Sequence, residues 1–366
     1  MRLLLTTIVD NANFGTFLQA YATAKKFQDF GCDVTVLNYV RDYLKEPFLI
    51  DFKRKDRKFI VNCIHCFYHN IIVKHISHRI KSFLLDNCKH TKEYSDVNEI
   101  NKIAKEYDLF LVGSDQVWNN YYNRGIDEVF FLKGIIGYKS SYASSIGANG
   151  FPEEDKVEVA KLLSQFKHIS VREDSAVKIL NSYGINNVEH VLDPTLLLTG
   201  NEWKTFSKKS NFKKNEPYLL IYSVENERYD DIYKVARKIA DEKGFKIYMI
   251  SSYYRRKKKY KVDKMFSFAS IYDFLSLMSQ ADFVVVSSFH GTAFSINFNR
   301  QFVTISPSKY NSRVMSLLRA TGLEKRYMDS INQMPKDNIN YLLVNEKLQD
   351  MRIKSEKFIE KVCSDC

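Results

Sequence analysis

The first forty residues constrain the fold more than any other part of the chain. Residues 2–8 are mostly apolar and include Leu3-Leu4-Leu5 and Ile8, as expected of a strand covered on both faces. A polar stretch, Asp10-Asn11-Ala12-Asn13, separates it from a helix over about 15–30 with Phe17, Leu18, Tyr21, Ala24 and Phe27 at helical spacing. Gly31 stops that helix, and Val34-Thr35-Val36-Leu37 forms the next strand. Strand, helix and strand in this order make a βαβ unit, which places the two strands parallel in one sheet with helices on its faces.

The pattern recurs. Residues 108–112, 140–145, 168–171 and 188–192 read as further strands of a first domain spanning 1–200. Residues 200–216 turn polar and lysine-rich, and Pro217 marks re-entry into a second domain, 201–366. There the alternation is strand 218–223, helix 229–243, strand 246–250, helix 271–279 and strand 283–287. A helix near Gly291, strand 302–305 and helix 312–321 follow. The expected fold is α/β, with two Rossmann-like domains facing a cleft lined by strand carboxyl ends. The tail, about 345–362, has helical periodicity and is free to pack back on either domain.

Composition narrows the function. At 45% hydrophobic and 27% charged, 366 residues can bury two cores, and 13 Gly with 6 Pro exclude collagen-like and linker-dominated chains. The formal charge of +12 favours anionic partners. No stretch is long and apolar enough to span a bilayer, and the start lacks a cleavable leader pattern, so a cytoplasmic protein is expected. Six cysteines are too few for a disulfide scaffold and are expected to stay reduced.

Four groups could carry chemistry. In Val284-Val285-Val286-Ser287-Ser288-Phe289-His290-Gly291-Thr292 a buried strand ends in hydroxyl residues and a helix opens. Such a turn offers backbone N–H groups to an anion; Gly291 would let a ligand approach, and His290 would add a proton donor, unless it only caps its helix. In Gly113-Ser114-Asp115-Gln116-Val117-Trp118-Asn119, a carboxylate, an amide and an indole suit a sugar, whereas the plain alternative is a capping Asp and a core Trp. Arg172, in Ser170-Val171-Arg172-Glu173-Asp174, could clamp a carboxylate or phosphate or simply pair with its acidic neighbours. Asn11, Asn13, Gly15 and Gln19 form a polar group at the first strand-to-helix turn, which is not a G-x-G-x-x-G fingerprint and so gives dinucleotide binding little support.

Taken in order, these segments resemble the polysaccharide pyruvyl transferase family. The matching pieces are Asn13-Phe14-Gly15-Thr16-Phe17-Leu18-Gln19-Ala20-Tyr21-Ala22, Val112 to Asn119, Tyr142-Ala143-Ser144-Ser145-Ile146-Gly147 and Ser170-Val171-Arg172-Glu173. Val191-Leu192-Asp193-Pro194-Thr195, Phe289-His290-Gly291-Thr292-Ala293-Phe294, Arg313 and Leu317-Leu318 complete a set spanning about 10–325. The resemblance implies a glycosyltransferase-B-like fold. It also implies transfer of pyruvate from phosphoenolpyruvate onto two hydroxyls of a sugar, as a cyclic ketal, in surface polysaccharide or capsule synthesis. On that footing His290 is expected to bind phosphate and act as general acid, with Asp115 as base or orienter of the acceptor hydroxyl. Arg172, Ser288, Gly291, Thr292 and Arg313 are expected on the donor side, and Asn13, Gln19, Gln116 and Trp118 on the acceptor side. Some members carry an arginine where this chain has Ser288, and Arg313 is a candidate to supply the missing charge.

No cofactor and no metal site is expected: joining Cys63-Ile64-His65-Cys66 to Cys363-Ser364-Asp365-Cys366 as zinc ligands would need residues almost a chain length apart to meet. His65 and His69 have helical spacing without the H-E-x-x-H carboxylate, inside a basic helical insertion at about 53–90. That insertion is expected to pack on the first domain, and the polybasic run 253–261 reads equally as a solvated loop, although both could touch an anionic membrane holding a lipid-linked acceptor. Nucleic acid is not an expected partner. The rival readings are a nucleotide-sugar-dependent glycosyltransferase of the same architecture and a non-catalytic glycan- or membrane-binding relative.

Overall fold

The computed structural model describes residues 1–11, 13–45, 74–224, 228–251, 259–305, 311–329, 334–335 and 337–366. The first part of the basic insertion, residues 53–73 with the Cys63/Cys66 pair, His65 and His69, and the core of the polybasic run lie outside the described residues.

The first sheet contains β1 (Arg2–Thr6), β2 (Asp33–Tyr39), β3 (His90–Tyr94), β4 (Leu109–Val112), β5 (Tyr138–Ser144), β6 (His168–Val171) and β7 (Val188–His190). Its order is β3-β2-β1-β4-β5-β6-β7 and every pairing is parallel. Leu3, Leu4 and Leu5 are fully buried, because helices cover both faces of this central strand. The second sheet contains β8 (Tyr218–Tyr222), β9 (Lys246–Ile250), β10 (Lys264–Phe266), β11 (Phe283–Val286), β12 (Gln301–Ile305) and β13 (Tyr327–Met328). It is likewise parallel, in the order β10-β9-β8-β11-β12-β13. In both sheets the strand order reverses beside the first strand, between β1 and β4 and between β8 and β11. Crevices at such reversals, outside the strand carboxyl ends, are where open α/β sheets bind ligands.

The helices that matter to the site are α1 (Phe14–Asp29), α2 (Lys74–Asn87), α3 (Asp174–Ser182), α4 (Gly200–Ser207), α5 (Ile271–Gln280), α6 (Phe289–Asn297), α7 (Ser312–Thr321) and α8 (Tyr341–Ser364). Asn13 caps α1 by accepting from Gly15 N at 3.0 Å. The described part of the basic insertion, α2, buries Ile80, Phe83 and Leu84, and Phe83 packs edge-on to Tyr21. Residues 200–216 are not merely a linker. Thr199 and Glu202 form a capping box that starts α4, and Trp203 is fully buried with Nε1 donating to Thr195 O at 2.9 Å. One continuous apolar cluster joins the two sheets, running from Leu3 and Phe17 through Trp203 to Phe274 and Phe294. Helix α8 crosses back to the first sheet: Ser355 Oγ accepts from Leu192 N (2.9 Å), Lys26 pairs with Glu356 (2.8 Å), and Cys363 Sγ lies 3.5 Å from Cys32 Sγ.

Candidate functional site

The two strand-order reversals face each other across the junction between α1 and α6. Phe14, the first residue of α1, stacks on Phe274 of α5 with ring centroids 4.8 Å apart, and Tyr222 at the end of β8 donates to Asn13 Oδ1 at 3.4 Å. A methyl group on Gly15 would stand 2.1 Å from Nδ1 and 2.6 Å from Cβ of His290, so the glycine is what admits the imidazole against the start of α1.

Asp193 is the hub of the cluster. It follows β7 and caps the short helix Pro194–Leu197, its Oδ1 accepting from Thr195 N (3.0 Å) and Thr195 Oγ1 (2.6 Å). Its Oδ2 accepts from Arg172 Nη1 at 2.8 Å, with Ser114 Oγ at 3.2 Å and His290 Nε2 at 3.7 Å. Arg172 Nη2 lies 3.4 Å from Asp115 Oδ1, and Thr16 Oγ1 donates to Asp115 Oδ2 at 3.2 Å. The Arg172 guanidinium also sits 4.2 Å from the centre of the Phe289 ring, which fixes its plane. Arg172 is 3% exposed, Asp193 1% and His290 7%, so the charges interact with little solvent between them. Two nitrogens stay unused: Arg172 Nε and His290 Nε2 are buried without a hydrogen-bond partner among the described residues.

Burial opposes ionisation of both carboxylates, and the neighbouring cations prevail. Asp193 is held well below the ordinary range by His290, Arg172 and its bond from Thr195. Asp115 is held below it by the charges of Arg172, His290 and Arg313. Burial works against the Arg172 charge too, but Asp193, Asp115 and Glu173 raise its pKa above the usual value. Glu173, 1% exposed, fastens the loop after β5 by accepting from Ser145 Oγ (2.9 Å), Ile146 N (3.0 Å) and Gly147 N (3.1 Å) with one oxygen.

Of the residues singled out in the sequence, Asp115, Arg172, His290 and Arg313 converge here, with Ser288 and Asn13 at the rim. Arg172 is no free clamp, since Asp193 and Asp115 occupy its two terminal nitrogens. Ser288 Oγ caps α6 by accepting from Gly291 N at 3.1 Å. Gly291 is not open to a ligand: a Cβ there would meet Val286 Cγ1 at 2.8 Å, so packing of α6 on β11 is what requires glycine. Thr292 points into the sheet, its Oγ1 within 3.0 Å of Ser288 O and 2.9 Å of Thr304 Oγ1. Gln19 is fully buried beneath the site, donating to Thr7 Oγ1 and Thr16 O, both at 2.9 Å. Gln116 accepts from Asn119 Nδ2 at 2.8 Å and so braces its own loop. Trp118 is no sugar platform. It is fully buried, stacks near Phe131, and donates Nε1 to Phe130 O at 3.0 Å.

Asp193, Glu173 and Thr16 were not singled out for a role from sequence. The available signal was Asp-Pro-Thr after an apolar strand, an N-cap spelling in which the carboxylate has a second oxygen to spare. Among the described residues no group of three or more His, Cys, Asp and Glu side chains is placed to hold a metal ion. No helix among them is long and apolar enough to cross a membrane.

The model of the family described as polysaccharide pyruvyl transferase matches residues 13–309. No curated protein matches the chain. Among solved structures, the UDP-GlcNAc 2-epimerase of Methanocaldococcus jannaschii is similar at 12% identity and a TM-score of 0.55, covering 96% of this chain and 91% of the epimerase. The UDP-GlcNAc 2-epimerase of Neisseria meningitidis, solved bound to UDP-GlcNAc, is similar at 10% identity and a TM-score of 0.50, covering 99% of this chain and 94% of that one. These likenesses place the fold in the glycosyltransferase-B-like class.

Proposed function

The chain belongs to the polysaccharide pyruvyl transferase family, and on that premise we propose that it transfers pyruvate from phosphoenolpyruvate to a sugar as a cyclic ketal. The observation that carries this reading is the His290 imidazole, whose buried Nε2 has no hydrogen-bond partner among the described residues and faces Asp193 at 3.7 Å beside two arginines. Facing the buried Asp193 carboxylate, His290 is placed to deliver a proton in a water-poor setting, which is what protonation of the methylene carbon of an enol phosphate needs.

His290 gives its proton to the methylene carbon of phosphoenolpyruvate, and C2 becomes an oxocarbenium-like centre. One sugar hydroxyl attacks C2; the C2–O bond to phosphate breaks, and the second hydroxyl closes the ketal. Of the two hydroxyl protons, one restores His290 and the other leaves on inorganic phosphate. Arg313 and the first backbone N–H groups of α6 supply positive potential for the donor's phosphate and carboxylate. Arg172 acts as a positioning residue, fixing Asp193 and Asp115. Asp115, held ionised, orients the acceptor hydroxyl by accepting its hydrogen bond; an oxocarbenium is electrophilic enough not to need a strong base. Phosphoenolpyruvate is a cytoplasmic metabolite, so the reaction belongs in that compartment, with a lipid-linked saccharide at the membrane face as acceptor.

Calorimetric titration with phosphoenolpyruvate tests this. Wild type should bind it in the micromolar to millimolar range, and Arg313→Ala should weaken binding about tenfold or more. His290→Ala should bind it but lose turnover by about 10²–10⁴-fold. A wild type that ignores phosphoenolpyruvate and binds a nucleotide sugar instead would replace this reading with a glycosyltransferase.

A further inference from the structure

We propose that the loop after β4 carries the acceptor-sugar subsite, with the ring of Tyr122 as platform and Tyr121, Tyr43, Arg124 and Asn11 around it. The proposal rests on the pyruvyl-transfer reading for its acceptor, but its geometry is independent of the donor.

The loop begins at Asp115 and runs past the buried Trp118 into a short helix, Asn120–Asn123, capped by Asn119 accepting from Tyr122 N at 2.9 Å. An uncommonly large effort of buried polarity holds it. Arg41 and Asp10, each about 1% exposed at their side chains, form a bidentate pair in which Arg41 Nε donates to Asp10 Oδ2 at 2.7 Å and Nη2 to Oδ1 at 2.6 Å. The remaining guanidinium nitrogen, Nη1, donates to Asn123 Oδ1 at 2.6 Å, and Asn123 Nδ2 donates to Val117 O at 2.8 Å. Burying a charged pair is seldom the most stabilising choice for a fold, so this pair is better explained by the geometry that it imposes.

That geometry is a rigid, partly exposed aromatic surface. The Arg41 guanidinium lies 5.1 Å from the Tyr122 ring centre and 5.5 Å from that of Tyr43, supporting both from beneath. Arg124 ends the short helix at φ +61°, a conformation that a non-glycine residue rarely adopts, and its guanidinium is 4.3 Å from the Tyr43 ring centre. Tyr122 keeps 39% of its surface exposed and Tyr121 70%. Asn11 Nδ2 donates to Tyr122 Oη at 2.8 Å, while Asn11 Oδ1 is buried without a hydrogen-bond partner among the described residues. Asn11 lies two residues before Asn13, the cap of the helix on which His290 rests, and Asp115 is close enough to Tyr122 to raise its phenol pKa after burial has done so. The patch therefore adjoins the candidate chemistry.

A pyranose fits this arrangement: its C–H face packs on an aromatic ring, and its hydroxyls meet an unsatisfied amide oxygen and a guanidinium. Isolated exposed tyrosines are ordinary on protein surfaces. A pair held on a buried cation beside an orphaned acceptor is not.

The test is saturation-transfer NMR with methyl β-D-galactopyranoside and methyl β-D-glucopyranoside as probes, alongside phosphoenolpyruvate calorimetry. Wild type should give saccharide signals from at least one probe. Tyr122→Ala and Arg124→Ala should reduce them about five- to tenfold while leaving phosphoenolpyruvate binding unchanged, and Tyr122→Phe should retain them. Saccharide signals that depend on Tyr122 in a protein blind to phosphoenolpyruvate would sink the donor reading and leave the platform standing. Signals unaffected by Tyr122→Ala, or no signal from the wild type with either probe, would overturn the platform.

Discussion

Gly15 and His290 open helices that follow strands of different sheets, and they touch so closely that a methyl group on the glycine would overlap the imidazole, 2.1 Å from Nδ1 and 2.6 Å from Cβ. The short distance to Cβ matters most. Rotating the ring does not relieve it, so the helices α1 and α6 must themselves separate to admit any side chain at position 15.

Gly15→Ala should therefore act on catalysis more than on folding. Overpacking of this kind costs about 1–3 kcal/mol, while a displaced proton donor loses its alignment with the reacting carbon. The expected result is turnover reduced about tenfold or more, with far-UV circular dichroism unchanged. Turnover equal to wild type would mean that His290 does not work from this position.

Asp193→Asn probes the hub. The substitution leaves the Arg172 charge buried with only Asp115 and Glu173 to oppose it, and breaking such a pair is expected to cost about 3–5 kcal/mol at neutral pH. The pH dependence has a definite sign. Asp193 and Asp115 both bind protons less readily folded than unfolded, so their stabilisation is complete above the ordinary carboxylate value of 3.8 and is lost as pH falls below it. Urea unfolding between about pH 5 and about pH 3 should show a steep loss in wild type and a shallower one in Asp193→Asn. Equal slopes would show that Asp193 is not the titrating anchor.

What the sequence allowed, and what it hid, follows from how each feature is encoded. The β1-α1-β2 unit was legible because Leu3-Leu4-Leu5, the 3.6-residue spacing of Phe17 to Phe27 and Gly31 all agree. Strands β3, β10 and β13 were not, since they are short edge strands reading HTKEY, KMF and YM, without an apolar run. The family motifs located Asp115, Arg172, His290 and Arg313. They did not reveal that Asp193 would claim Arg172, because that contact joins the carboxyl ends of two neighbouring strands, β6 and β7, across 21 residues that include α3. Trp118 was misread for a related reason. Gly113 at φ +106° and Asp115 at φ +69° reverse the chain, which carries the indole under the loop instead of over it.

Trp118→Phe should consequently behave as a core substitution. It leaves Phe130 O without its donor at 3.0 Å and removes ring volume packed against Phe131 and Phe166. A loss of about 1–3 kcal/mol is expected, with the KM for the saccharide unchanged. A raised KM at unaltered stability would restore the indole to the binding surface.

Helix α8 lets the second half of the chain stabilise the first, and Phe358 is the place to measure it. Its ring is 2% exposed and packs against Tyr142 and His168, both of the first sheet, with centroids 6.2 and 6.3 Å away. Phe358→Ala should cost about 3–5 kcal/mol, because the surrounding strands cannot collapse into the space. The loss should be felt on the side of the first sheet, where Ser355 and Glu356 of the same helix also bind. Hydrogen exchange is the discriminating readout: amides of β5 and β6 should lose protection while those of β9 keep theirs. Uniform loss across both sheets would show instead that the continuous apolar cluster makes the whole chain one cooperative unit.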